Sequence, residues 1–379
     1  LVGSEMCIRD RLRPIGFTSP HIILEPQPKN TTAAITVGAL YAKNINLTQP
    51  LLVLPSDHYI KNTKEFVDLV HRTSKSNITN KLICFGIQPT APEAKYGYIL
   101  KKDIDEDRSL LKKINKFVEK PSVLKAKNLI LRNALWNSGM FFFNADSVIN
   151  EVKFQSPLIY KNAKLALDKA IPDMDFIRLD AKSFKKITSI SIDHAVFEKA
   201  NNSYVVPTSL NWNDLGTYNA LWDIGKKDKY NNVINGDVII DNVKNSYIYS
   251  DKNLVAVSNI DNINVVSTQN ATLVTSIKKS NEIKSLISIL GKNNRTELSE
   301  HVITHRPWGY FENISSNKNH KIKKLTVMPG KKLSLQSHSK RSEHWVVISG
   351  TAKVTQNENE FILNKNESTF IPVNVKHRL

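Results

Sequence analysis

From Ile22 to about Ile149, short apolar runs alternate with segments whose apolar residues recur every three to four positions. This alternation predicts a doubly wound α/β layer, a mainly parallel sheet covered by helices on both faces. Leu51-Leu-Val-Leu-Pro55 and Leu82-Ile-Cys-Phe-Gly86 read as buried strands. Between them, Lys64 to Ser74 places Phe66, Leu69, Val70 and Thr73 at helical spacing. Met140-Phe-Phe-Phe143 suits a strand buried on both faces. Residues 150–200 are predominantly helical in pattern, and a strand followed by a loop returns over Val205 to Tyr218. After Tyr230 the strands shorten and Asn and Asp punctuate them: Gly236 to Ile240, Ser246 to Tyr249, Leu254 to Val257 and Ile263 to Val266. The expectation is a small β-rich linker domain over 231–294, with a helix from Lys279 to Leu290. From 295 onward, strands separated by Pro329-Gly330 and Ser349-Gly350 predict an all-β barrel that stops early.

Composition changes this picture little. No apolar run approaches the ~18 residues of a membrane helix, and Leu1 to Arg13 has no clean hydrophobic core for a secretory signal. Cys7 and Cys84 are too few and too far apart for a disulfide framework or a zinc set, which fits a reducing cytoplasm. The net charge of +18 comes mostly from dispersed Lys, without an Arg-rich stripe interleaved with aromatics, so neither nucleic acid nor a membrane is an expected partner.

Four segments carry candidate chemistry. Leu54-Pro-Ser-Asp-His58 ends an apolar strand in a carboxylate, where ligands bind in open α/β sheets; an Asp there would equally cap a helix. In Phe117-Val-Glu-Lys-Pro121 an acid and a base adjoin before a Pro that stops the ladder; Glu can accept sugar hydroxyls and Lys can hold a phosphate. Trp136-Asn-Ser-Gly139 offers an amide that both donates and accepts, beside a Gly that permits close approach. Asn211-Trp-Asn-Asp-Leu-Gly216 supplies a second carboxylate, and Asp57 with Asp214 would suit Mg²⁺ shared with substrate phosphates.

Taken in order, Glu25-Pro-Gln-Pro-Lys-Asn-Thr31, Leu54 to His58, Lys95-Tyr-Gly-Tyr-Ile99, Phe117 to Pro121, Trp136 to Gly139, Ser191-Ile-Asp193 and Trp212 to Gly216 resemble the successive blocks of mannose-1-phosphate guanylyltransferases. The resemblance runs from about Leu12 to Leu290. It implies a Rossmann-like, glycosyltransferase-A-like nucleotidyltransferase domain over 12–230 that lacks its first strand. It also implies that Asp57 and Asp214 hold Mg²⁺, that Gly97, Glu119 and Asn137 contact the mannose, and that Lys120 reaches a phosphate. Glu25 and Asn30 then fall beside the nucleotide. The implied reaction joins GTP and mannose 1-phosphate to give GDP-mannose and pyrophosphate, in a cytoplasmic homo-oligomer serving polysaccharide biosynthesis.

Two departures stand out. Family members open with a strand and a G-x-G-x-R loop whose backbone amides cradle the triphosphate. No such segment is present, and residues 1–11 read as non-native, which is the feature that favours an inactive, binding-only fragment over an enzyme. Pro28-Lys29 stands where Gly-Arg is usual, which keeps the charge but loses a bidentate guanidinium.

The C-terminal segment fits the spacing of the two cupin motifs. Gly330-x5-Gln336-x-His338-x4-Glu343-x6-Gly350 carries Gln for the first His, and Asn366-x5-Pro372-x-Asn374-x2-His377 carries Asn for both turn glycines. Alternation along a strand puts Gln336 and His338 on one face, and a turn returns Glu343 to them. With His377 they make a mixed N/O set suited to Zn²⁺ or another divalent ion. This segment, 295–379, resembles the mannose-6-phosphate isomerase domain of bifunctional members, with Arg306-Pro-Trp-Gly309 as its opening. Mannose 6-phosphate or fructose 6-phosphate would be its substrate, although the barrel ends two residues after the last ligand. Two readings compete with the transferase: the isomerase as the principal activity, or a non-catalytic sugar-nucleotide binding fragment.

Overall fold

The computed structural model describes residues 16, 21–102, 109–173, 176–298, 302–306 and 308–379. The segment expected to be non-native, 1–11, lies outside them, as does Pro307. The chain divides into two compact units, one running through Leu286 and one from Ile287 on.

The first unit is organised by six strands: β2 (Leu51–Val53), β4 (Leu82–Ile87), β5 (Tyr98–Lys101), β6 (Lys112–Val118), β7 (Leu135–Phe143) and β10 (Ser203–Thr208), in the order β2-β7-β4-β10-β6-β5. Strand periodicity explains the layering. On β4, Leu82 and Cys84 enter one apolar cluster while Ile83, Phe85 and Ile87 enter the other. On β7, Phe141 and Phe143 face the first cluster and Met140 and Phe142 the second. Helices α1 (Asn30–Asn44), α4 (Ala145–Gln155) and α5 (Pro157–Asp168) cover the first face. Helices α2 (Thr63–Ser74) and α3 (Val123–Leu131) cover the second. The expected helix over 64–74 is thus present, and its N-cap is Asn62, so Asp57 is not a capping residue.

Three expectations need correction. The sheet is mixed, because β7 runs antiparallel to both β2 and β4, and β6 antiparallel to β10; β10 and β4 are parallel. A strand buried on both faces shows the same apolar run whichever way it points, so direction is not readable from the pattern. Strand β2 is only half-buried: Leu51 and Val53 pack on the first cluster, but Leu52 is 36% exposed and Leu54, just past the strand, 47%, because among the described residues β2 is a sheet edge bonded only to β7. The mostly helical stretch 150–200 is interrupted by β8 (Ile171–Asp173) and β9 (Phe176–Arg178), which pair with each other and with β1 (Ile22–Leu24) in a separate small sheet. Helix α6 (Ala181–Lys185) follows, and Asp180 caps it by accepting from the Ser183 N–H at 2.8 Å.

Two short strands, β3 (Tyr59–Ile60) and β11 (Trp212–Asn213), form their own antiparallel ladder. Beyond α7 (Tyr218–Ile224), the chain coils between two parallel sheets. One holds β12 (Val233–Asn235), β14 (Tyr247–Ser250) and β16 (Ile263–Ser267), with antiparallel β17 (Thr272–Ser276) at its edge; the other holds β13 (Val238–Asp241) and β15 (Val255–Ser258). Val243, Ile248, Ile263 and Val265 fill the space between them. The Asn punctuation has a backbone cause: Asn231, Asn242, Asn245, Asn259 and Asn262 all hold positive φ, the left-handed geometry that Asn tolerates best after Gly. Corners stack as well, with Asn242 Nδ2 donating to Asn259 Oδ1 at 2.8 Å, 17 residues on. The closing helix is α8 (Ile283–Lys292).

Among the described residues, the second unit contains three small antiparallel sheets. They comprise β18 (Ile303–Arg306), β19 (Gly309–Ser316) and β20 (Lys321–Val327); β21 (Glu343–Val346) with β24 (Ser368–Ile371); and β22 (Ala352–Gln356), β23 (Asn359–Leu363) and β25 (His377–Arg378). Asn366 and Asn374 adopt φ of 70° and 64°, as required where they replace turn glycines.

Candidate functional site

The β3–β11 ladder pairs Tyr59 with Asn213, so the residues just before β3 meet those just after β11. Asp57 and Asp214 therefore arrive at one end of that ladder with His58 between them. Trp212 Nε1 donates to His58 Nδ1 at 3.2 Å, and the rings cross edge-on at 5.2 Å. Burial lowers the His58 pKa, against the opposing pull of the Asp57 and Asp214 charges, so the ring is held neutral. Asp57 is exposed. Asp214 is partly buried, with Oδ1 accepting from Lys95 Nζ at 3.0 Å and from the Tyr96 hydroxyl at 2.8 Å. Burial alone would raise its pKa, but these two hydrogen bonds and the Lys95 charge outweigh it and hold the carboxyl low.

A second group assembles across β5, β6 and β7. The Gly97 carbonyl accepts from the Asn137 N–H at 2.8 Å, which joins β5 to β7. The Glu119 carboxylate packs over Gly97 so closely that a Cβ there would lie 2.6 Å from Glu119 Oε2. Asn137 Nδ2 donates to Asp193 Oδ1 at 2.8 Å. The far end of the same β7 segment, Gly139, lies against Pro55 and His58, so β7 links the Gly97–Glu119–Asn137 group to the carboxylate pair.

The remaining predicted residues are placed less centrally. Lys120 Nζ sits 3.1 Å from Glu119 Oε1 with the Lys side chain 67% exposed, so its charge stands at the solvent edge of this group. Asn30 opens α1 at φ 65°, and its Oδ1 accepts from the Thr31 N–H at 2.8 Å. Glu25 is exposed just past β1, and among the described residues no hydrogen bond joins it to either group. Lys29, in the block that departs from the family pattern, donates to the Lys185 carbonyl at 2.9 Å.

Lys95, Tyr96, His58, Trp212 and Asp193 are the residues that pattern reasoning does not assign. Lys95-Tyr96 beside Gly97, and His58 beside Asp57, are visible as chemistry-bearing neighbours, but their partners lie more than a hundred residues away in sequence. Backbone geometry also marks the site. Among the described residues, thirteen of the non-glycine residues at positive φ are Asn; the other two are Lys120 (φ 43°) and Leu215 (φ 47°), which directly follow Glu119 and Asp214.

In the second unit, His338, Glu343 and His377 bring one donor atom each to within 4.8 Å of one another. His338 Nε2 lies 3.0 Å and His377 Nε2 3.7 Å from the Glu343 carboxylate. Gln336 exchanges two backbone hydrogen bonds with His377, at 3.0 and 2.8 Å, which sets the register of this edge. Arg341 and Trp345 donate to Glu343 at 3.1 and 2.9 Å. Burial acts to raise the Glu343 pKa, but these donors lower it, so the carboxylate is ionised. The His377 Nδ1–H donates to the Val375 carbonyl at 2.8 Å, which leaves Nε2 a bare acceptor, buried and without a hydrogen-bond partner. An orphaned imidazole nitrogen aimed at an ionised carboxylate fits a divalent cation, and the backbone bond to Nδ1 is the support a ligating His uses.

The fold and the two sites define a sugar-phosphate nucleotidyltransferase followed by a cupin-type module. A nucleotidyl transferase family model matches residues 8–231, and a mannose-6-phosphate isomerase C-terminal model matches residues 293–379. The chain belongs to the mannose-1-phosphate guanylyltransferase family, in the bifunctional type that carries the isomerase-like C-terminal domain. It is 40% identical over 376 residues to a mannose-1-phosphate guanylyltransferase of Salmonella muenchen, covering 98% of this chain and 79% of that protein. It is 39% identical to the xanthan biosynthesis protein XanB of Xanthomonas campestris pv. campestris, covering 98% and 78%. Among solved structures, a Thermus thermophilus protein described as a mannose-1-phosphate geranyltransferase superposes with a TM-score of 0.62 at 25% identity, covering 71% of this chain and 77% of that one. Among the described residues, no helix is long and apolar enough to cross a membrane.

Proposed function

We propose that the chain is a mannose-1-phosphate guanylyltransferase that makes GDP-mannose for polysaccharide synthesis in the cytoplasm as a homo-oligomer. The observation that carries this reading is the joining, along β7, of a hydroxyl-binding pocket (Gly97, Glu119, Asn137) to a carboxylate pair (Asp57, Asp214). In the reaction, an oxygen of mannose 1-phosphate attacks the α-phosphorus of GTP, forming one P–O bond as the bond to pyrophosphate breaks. Glu119 and Asn137 hold the ring hydroxyls. Lys120, anchored on Glu119 and otherwise open to solvent, balances phosphate charge. Asn30 and Glu25 lie toward the nucleotide. Asp57 and Asp214 would hold Mg²⁺, which supplies neutralisation of phosphate charge. Lys95 keeps the Asp214 carboxyl ionised and fixed. Positioning and charge neutralisation then account for most of the catalysis.

Pyrophosphate release tests this directly, with each of the four nucleoside triphosphates and with mannose or glucose 1-phosphate in the presence of Mg²⁺. GTP with mannose 1-phosphate should give the highest rate. No release from any pair, by protein with its native circular dichroism, removes the reading.

A second activity is favoured by the orphaned His377 Nε2. His338, Glu343 and His377, with Gln336 as a fourth donor, would hold Zn²⁺ or a related ion, which polarises a sugar carbonyl when bound, and the module would interconvert mannose 6-phosphate and fructose 6-phosphate. Zn²⁺ at a thousand times its Kd should stabilise the C-terminal unit by about 4 kcal/mol. His377→Ala should remove that gain; a melting temperature indifferent to Zn²⁺ in the unsubstituted chain would refute the site.

A further inference from the structure

Asp193 belongs to none of the roles assigned above, yet the pocket is built around it. It opens a single π-helical turn, Asp193–Phe197, a form that is rare and recurs at functional sites. The entry to that turn is pinned to α1: the Ile192 N–H donates to Thr31 Oγ1 at 2.9 Å, and Thr32 Oγ1 donates to the Ile190 carbonyl at 2.8 Å. From this fixed position the carboxylate accepts from Asn137 Nδ2 at 2.8 Å, while Asn137 Oδ1 accepts from the Gly139 N–H at 3.2 Å. The Asn137 amide is therefore tied at both ends. It keeps one N–H and one lone pair to offer a sugar hydroxyl, in a known orientation.

The charges around Asp193 define what the pocket accepts. Glu119 faces it from the end of β6, with Lys120 bound to Glu119; His194 follows it in its own turn and is ion-paired to Glu198 at 3.0 Å. Cys84 faces it from β4, with its thiol pushed up by burial and so neutral. Burial first, and the Glu119 charge second, push the Asp193 carboxyl up to about 6. Above that pH, Asp193 adds a negative charge beside Glu119 and the Asn137 amide.

We propose that Asp193 is the positioning and specificity residue of the sugar pocket: it sets the Asn137 amide and, as an anion beside Glu119, admits hexosyl phosphates without an acidic ring substituent. This rests on the guanylyltransferase reading. A group with a raised carboxyl pKa costs folding stability once ionised, so the sign of a stability change separates this role from a structural one. Asp193→Asn, which keeps an acceptor for Asn137 but cannot ionise, should melt no lower than the unsubstituted chain at pH 8.

Calorimetric titration of mannose 1-phosphate into the full chain, from pH 5 to pH 8, tests the proposal. The unsubstituted chain should bind about tenfold more tightly at pH 8 than at pH 5. Asp193→Asn should lack that rise and show only the change set by the ligand's own phosphate ionisation near roughly pH 6, and Asp193→Ala should be weaker still at every pH, because its Asn137 amide is free to turn. Affinity for GTP should be the same in all three. Identical pH profiles for the unsubstituted and Asn chains overturn the proposal and leave the guanylyltransferase reading standing. Failure of the folded unsubstituted chain to bind mannose 1-phosphate overturns both. Mannuronic acid 1-phosphate probes specificity: binding as tight as mannose 1-phosphate refutes the exclusion of acidic sugars.

Discussion

Asp214→Asn should cut the rate of pyrophosphate release by about a hundred- to a thousandfold, with the fold intact. The substitution keeps the shape of the side chain and leaves an oxygen for the Lys95 and Tyr96 donors, but it removes the charge that both the cation and Lys95 require. Alanine would be a poorer test, since it strands a half-buried ammonium and hydroxyl with no acceptor. The Mg²⁺ concentration for half-maximal rate should rise along with the loss. A rate within threefold of the unsubstituted chain would place the carboxylate outside the chemistry. Acid should not reproduce the effect early, because the Asp214 carboxyl is held below the usual range and stays charged as pH falls. Loss of rate on moderate acidification would reflect another group, such as Asp193.

Gly97→Ala should raise the KM for mannose 1-phosphate by roughly a hundredfold, while the KM for GTP changes little. The added methyl would stand 2.6 Å from Glu119 Oε2 and 3.1 Å from the Phe117 ring. Phe117 is buried and cannot retreat, so the Glu119 carboxylate must swing away from its position over the pocket. Displacement of a positioning group by about 1 Å can cost a hundredfold. Because the moving atom is the free end of a side chain, the fold should survive, and circular dichroism would show it. An unchanged KM would mean that Glu119 does not contact the sugar.

Much of this architecture is legible in the sequence, and the exceptions have physical causes. Unbroken apolar runs bounded by turn residues mark strands buried on both faces, and they locate β4 and the second half of β7. They carry no information on direction, which is why the antiparallel insertion of β7 is hidden from them. An apolar run also cannot distinguish an edge from a centre, so Leu51 to Pro55 reads as buried although Leu52 and Leu54 are exposed. The cupin donors are legible because their ligands lie close in sequence around two turns, and the turns demand left-handed residues that Asn366 and Asn374 can supply. Asp193 sits inside a family-like block without a role of its own, since its meaning depends on Asn137, 56 residues away.

The two left-handed residues that are not Asn bear on how this protein can be improved. Elsewhere in the described residues the chain meets every such backbone demand with Gly or Asn, at little energetic cost; at Lys120 and Leu215 it does not. Each such residue stores on the order of 1 kcal/mol of conformational strain. A directed-evolution campaign selecting only for heat resistance would therefore find easy gains at these two positions, by installing Gly or Asn. Those gains would loosen the backbone that aims Glu119 and Asp214, so selection for heat resistance has to be run together with selection for turnover.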